Sequence, residues 1–249
     1  MELLNKIKNF IIKTIRKYKI WEEERKKAKE ERLKLIKEKK QEEERKHQEY
    51  LRMVYLKATN PGAYGEELVF KILIDNNIKG YKIILRNLYI PYNKRTSEID
   101  ILLIHETGIY VIESKNYSGW IFGSAEQQQW TQMLNKNTKN RFYNPIKQNT
   151  THITALSQFL HINKSIMKSF IVFSERCELK KVPNNTAEYT IIKRNRLLEE
   201  IKKEIANRNN ILTPDTIDRI FETLIPLTNV SEEVKQQHIN DINKTVKKI

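Results

Sequence analysis

The residues of this 249-residue chain best suited to chemistry lie between Ser97 and Gly119, where Asp100, Glu113 and Lys115 stand in apolar surroundings. The stretch reads as a strand, a tight turn and a second strand. Side chains alternate across a strand, so Glu113 and Lys115 share one face while Ser114 points the other way. Two carboxylates and an amine would then converge at one end of a hairpin. Hydrolysis of a phosphodiester needs an activated water, neutralisation of the charge building on phosphorus and help for the leaving oxygen. A hard divalent cation on oxygen ligands can supply these, and Mg2+ or Mn2+ suits such a donor set. Asp100 and Glu113 are the candidate ligands, with the Ser114 carbonyl as a further oxygen donor. Lys115 leans over the same face and could orient or deprotonate the water, or steady the pentavalent phosphate. The competing reading is a structural Glu-x-Lys ion pair. Against it, buried charges without partners cost several kcal/mol, and Asp100 and Glu113 flank one short turn.

Two further polar residues stand where neighbouring elements could deliver them. Asn60-Pro61-Gly62 breaks a helix and marks a boundary. The next helix carries an apolar face of Leu68, Ile72 and Leu73, with Val69 at its edge. Glu66, read in its first turn, is favoured there by the helix dipole and could reach the metal as a third carboxylate. After a polar loop, Asn144-Pro145 opens a helix to about Leu160, on which Gln148 could position the water or the scissile phosphate. Between these helices, 81–90 reads as a strand ended by Pro91. Asn93 to Ser97 reads as a polar basic loop, followed by strands at Glu98–Ile104 and Ile109–Lys115. A short strand at Trp120–Phe122 completes an expected antiparallel meander, and Gln127 to Trp130 reads as another extended piece. Further on, strands are expected at Ser169–Ser174 and Tyr189–Ile192, and helices at Arg194–Asn207 and from Thr213 to about Leu224. Apolar runs on both sides of the central strands predict helices on both faces.

Composition bounds the partners. Lys and Arg number 46 against 31 Asp and Glu, a formal charge of +15. That excess favours polyanions, nucleic acid before an anionic membrane. The single cysteine, Cys177, excludes an intramolecular disulfide and a cysteine-based zinc site, and a reducing cytoplasm is the expected home. Residues 3–18 form a basic amphipathic helix. Membrane-surface or nucleic-acid contact is one reading of it; packing of its apolar stripe on the rest of the protein or on a second copy is the plainer one. Residues 22–49 hold ten glutamates and eleven Lys and Arg, with many opposite charges four apart and no heptad seam. They read as a solvated helix, a spacer or a weak homo-oligomer arm. The expected organisation is a helical extension over 1–59, a core over 60–175, its α/β completion over 176–230 and a tail helix over 231–249.

Taken together, Gly62-x-x-Gly65-Glu66, Glu98-Ile-Asp100, Gly108-Ile-Tyr-Val-Ile-Glu113-Ser-Lys115-Asn-Tyr-x-Gly119, Trp130 and Asn144-Pro145-x-x-Gln148 with His152 resemble the nuclease-related domain (NERD), a branch of the PD-(D/E)XK nuclease superfamily. The resemblance covers roughly residues 60 to 175. It implies a restriction-endonuclease-like α/β (α+β) fold, a mixed sheet flanked by helices. It also implies Asp100, Glu113 and Lys115 as the catalytic core, Glu66 as the helix carboxylate, Gln148 as an additional polar residue, and DNA as the substrate. Ile99 stands where the superfamily name has proline, and Ser114 where an apolar residue is usual. A non-catalytic nucleic-acid binder using Tyr117 or Trp120, or a scaffold assembled through the first 60 residues, are the alternatives.

Overall fold

The computed structural model describes residues 1–246. The chain divides into two compact units, residues 1–59 and Asn60 onward. The first is one continuous helix, α1 (Glu2–Thr59), with no buried residue. The amphipathic and charged segments are therefore one element. Ion pairs along it include Glu2–Lys6 at 3.1 Å and Glu42–Lys46 at 3.4 Å, the spacing that supports a solvated helix.

Asn60 ends α1 and caps the next helix, its Oδ1 accepting from the Ala63 amide at 3.0 Å, with Pro61 at the first helical position. That helix is α2 (Pro61–Ile74). Its buried face is Gly65, Val69 and Leu73, so Val69 sits at the centre of the packing and Leu68 is only half-buried. Strands β1 (Lys82–Tyr92), β2 (Arg95–His105) and β3 (Gly108–Lys115) follow. Pro91 does not end β1: it pairs with Thr96, because β1 is the edge of its sheet and the missing amide faces no neighbour. Asn93 and Lys94, both with positive φ (47° and 61°), make a two-residue turn in place of the expected loop.

β2 pairs antiparallel with β3, and β3 pairs parallel with β7 (Met167–Phe173), which pairs parallel with β9 (Tyr189–Lys193). The sheet order is β1-β2-β3-β7-β9. The expected third meander strand, β4 (Gly119–Phe122), leaves this sheet, because the free edge of β3 is taken by β7. It joins β5 (Gln129–Met133), β6 (Lys139–Tyr143) and β8 (Cys177–Lys181) in a second sheet of order β6-β5-β4-β8. The architecture is thus mixed α/β with two mixed sheets.

Helix α3 (Pro145–Leu160) carries the chain across to β7, as a parallel pairing requires. Its Ala155 and Leu156 pack with Leu102, Ile104, Ile109 and Val111, alongside Ile217 and Ile220 of α5 (Pro214–Leu224). On the other face, Val69 and Leu73 of α2 and Leu197 and Ile201 of α4 (Leu197–Ala206) cover Ile101, Leu103, Tyr110 and Ile112. A third cluster around Trp130, which stacks on Phe173 at 6.2 Å, joins the second sheet to the first. The last described helix is α6 (Glu232–Val246); residues 247–249 of the expected tail helix lie outside the described residues. No described helix is long and apolar enough to cross a membrane.

Gly65 is where α2 meets the end of β3. A Cβ there would lie 2.5 Å from Asn116 Cβ, and Asn116 is tied by its Nδ2 to the Pro61 carbonyl. Gly65→Ala gains about 1 kcal/mol of helix propensity but forces overpacking that costs roughly 1–3 kcal/mol. The variant is expected to melt at a lower temperature than wild type in calorimetry; an equal or higher melting temperature would mean that α2 can move away from β3 without loss.

Candidate functional site

β3 delivers Glu113 and Lys115 to the α3 side of the sheet. The Lys115 Nζ donates to Glu113 Oε1 at 2.6 Å and to Gln148 Oε1 of α3 at 3.0 Å. His152, one turn beyond Gln148, donates from Nε2 to Glu113 Oε2 at 3.2 Å, and its Nδ1 meets the Ser97 hydroxyl at 2.6 Å. A carboxylate only accepts, so Nε2 carries a proton in this contact, and the direction of the Nδ1–Ser97 bond follows from the ring's protonation. The Glu113 side chain is only 2% exposed. Burial pushes its carboxyl up, yet Lys115 and His152 outweigh this and hold it at about 2. Burial likewise disfavours the Lys115 ammonium, but Glu113 and then Asp100 hold it above the ordinary lysine value.

Asp100 lies mid-strand in β2. Leu85 and Leu102, and again Leu88 and Ile99, face the α3 side, while Ile101 faces α2. Alternation therefore slips by one residue in both strands at Asn87, whose φ is 53°, and Asp100. The slip turns Asp100 towards β3, where its Oδ2 accepts from the Ser114 amide at 2.8 Å. Burial, then the charges of Glu113 and Glu66, push the Asp100 carboxyl well above its usual range.

Glu66 is in the second turn of α2, because the helix begins at Pro61; the dipole argument for a first-turn carboxylate does not apply to it. Its carboxyl is raised from 4.5 to about 7 by burial, then by the charges of Glu98 and Glu113. Glu98 lies 3.4 Å from His238 Nε2 of α6. The neighbouring Glu67 is the better paired of the two, 2.7 Å from Arg86. Ser114 faces α2, its Oγ 3.4 Å from where a Gly65 Cβ would be.

The fold thus gathers Asp100, Glu113, Lys115 and Gln148, with Glu66 near enough to feel Asp100 and Glu113 electrostatically. His152 was visible in the sequence only as a motif residue without a role. The signal for that role was its spacing of four from Gln148, which puts both on one helix face. Asn149 seats that helix, its Nδ2 donating to the Val111 carbonyl at 2.9 Å and to Ser169 Oγ at 2.8 Å. Tyr117 is packed against Phe142 at 4.5 Å, while Trp120 is exposed beneath Lys180 at 5.5 Å.

Carboxylate and carbonyl oxygens are the donors a hard cation takes, and burial, then the neighbouring carboxylates, raise Glu66 and Asp100 more than Lys115 offsets. Among the described residues no three His, Cys, Asp or Glu side chains stand as a metal-binding cluster, and both Glu113 oxygens are engaged by Lys115 and His152.

The chain belongs to the nuclease-related domain family, whose model matches residues 61–174. It is 31% identical over 180 residues to an uncharacterized protein of Bacillus anthracis, an alignment spanning 72% of this chain and 82% of that protein. No solved structure matches it.

The Glu66 shift has a definite sign. Its folded-state value of about 7 exceeds the ordinary 4.5, so the fold prefers the protonated form. That contribution is complete below pH 4.5 and is lost as pH rises through about 7. Glu66→Gln mimics the protonated group. In metal-free buffer it is expected to exceed wild type in denaturant stability by roughly 1–3 kcal/mol at pH 8, with the difference closing in acid. Parallel pH profiles for the two proteins would contradict the shift.

Proposed function

We propose that this chain is a metal-dependent nuclease that hydrolyses phosphodiester bonds in DNA. The observation that carries the reading is the buried Glu113 with Lys115 as its partner, beside Asp100 and Gln148, in a chain of the nuclease-related family. A cation held by Asp100 and Glu113, with Glu66 and the Ser114 carbonyl as further oxygen donors, would neutralise phosphate charge and acidify a water. To hold the cation, Glu113 would give up Lys115 or His152, the partners of its two oxygens. Lys115, held protonated by its carboxylate neighbours, serves to steady the negative charge building on the phosphate rather than to take a proton from water. Gln148 orients that ammonium through Oε1. His152, fixed by Ser97, keeps Glu113 ionised and aimed. Beyond residue 60 the chain has 27 Lys and Arg against 20 Asp and Glu, an excess that favours approach of a polyanionic backbone.

Purified protein is expected to nick or cut DNA with Mg2+ or Mn2+. Lys115→Ala should lower that rate by about 100-fold or more with an unchanged circular dichroism spectrum. Equal rates would remove Lys115 from the chemistry. Salt-sensitive DNA binding with no cleavage by either protein would instead select a non-catalytic binder, for which the exposed Trp120 under Lys180 is the specific support.

A further inference from the structure

The first 21 residues of α1 have a pattern that the candidate site does not use. At about 100° per residue, Leu4, Ile7, Phe10, Ile11, Ile15 and Tyr18 fall, with Leu3 and Trp21, in one sector of about 140°. Thr14 is the only polar residue in it. The sector is open to solvent: Phe10 is 72% exposed, Tyr18 62% and Trp21 50%. Beyond Trp21 the same face carries Glu22, Arg25 and Lys29, so the apolar stripe stops there.

The remaining arc, though it also holds the exposed Ile12 and Ile20, is cationic. Lys8 and Lys19 border the apolar sector on one side and Lys6 and Lys17 on the other, with Lys13 and Arg16 between, against a single acid, Glu2. This charge pattern decides among occupants. Two copies packed through the apolar sectors, parallel or antiparallel, would set lysine border against lysine border, where paired helices need opposite charges. Duplex DNA would take the lysines but leave the apolar sector in water. A bilayer surface rich in anionic headgroups answers both halves at once: the sector sinks to the acyl boundary, the bordering lysines reach up to phosphates, and Tyr18 and Trp21 sit at headgroup depth. The lysines at 6, 8, 13 and 17 break any spanning run, so the helix lies in the plane of the surface.

We infer that residues 1–21 are an in-plane membrane-surface helix selective for anionic phospholipid, which would hold the nuclease-related domain at a membrane face. The helix from Glu22 to Thr59 is then the solvated stem between anchor and domain.

The test is flotation of the full chain with vesicles of phosphatidylcholine alone and of phosphatidylcholine mixed with phosphatidylglycerol, alongside sedimentation velocity without lipid. Wild type is expected to float with the anionic vesicles and to be released by salt. Ile7→Glu with Ile11→Glu should weaken that binding about tenfold or more, and Lys8→Glu with Lys19→Glu, which leaves the apolar sector intact, should abolish the preference for anionic lipid. Helicity by circular dichroism checks both variants. No flotation, or flotation unaffected by either variant, overturns the proposal. So does a dimer in lipid-free solution that Ile7→Glu with Ile11→Glu dissolves while vesicle binding is absent, which assigns the sector to a second copy. Affinity for duplex DNA lost in the lysine variant, with no vesicle binding in wild type, assigns the arc to nucleic acid and overturns it equally.

Discussion

The site depends on keeping one carboxylate ionised where water barely reaches. Glu113 is buried at the end of a central strand, and an isolated charge there would cost several kcal/mol or take up a proton. Lys115 and His152 prevent that, and they come from different elements: one from two residues further along β3, the other from α3. The carboxylate is therefore only as stable as the seating of α3 on the sheet. That seating is over-determined. Asn144 caps the helix with Oδ1 and ties it through Nδ2 to the carbonyls of Ser124, Ala125 and Gln127 before β5. Asn149 bonds it to β3 and β7, while Ala155 and Leu156 enter the core.

The opposite side of the cluster holds two carboxyls that burial pushes up. Asp100 is turned toward β3 by the slip in β1 and β2, and Glu66 is brought in by the close approach of α2 at Gly65. Burial first, and then the charge of Glu113 with Glu98 acting on Glu66 and Glu66 on Asp100, raises both carboxyls above their ordinary values, and Lys115 offsets only part of this. A protein selected only for stability would pair or remove such groups, as Glu67 is paired with Arg86 a single residue away. Two carboxyls raised by burial beside one held ionised is the arrangement on which the proposed cation site rests.

Much of this was legible because strand geometry is stiff. Period-two alternation puts Glu113 and Lys115 on one face whatever surrounds them, and the Asn144-Pro145 opening announces α3. What was hidden depends on contacts distant in the chain. Alternation cannot show that it slips at Asp100, since the slip is shared with Asn87 on a neighbouring strand. The Asn93-Lys94 turn lacks the glycine that usually marks two left-handed residues. β6 and β8 are polar strands at the edges of the second sheet, with no apolar period to reveal them. Glu66 was misplaced by a turn because the cap is Asn60, and His152 gained its role only through a partner 39 residues away.

The central claim is that Asp100 and Glu113 form one cation site. A crystal of the full chain soaked with Mn2+ and measured for anomalous scattering tests it most directly. The account predicts an ion within about 2.5 Å of an oxygen from each carboxylate, with Lys115 or His152 displaced from Glu113. No ion at that position under saturating Mn2+, or an ion bound without either carboxylate, would contradict it.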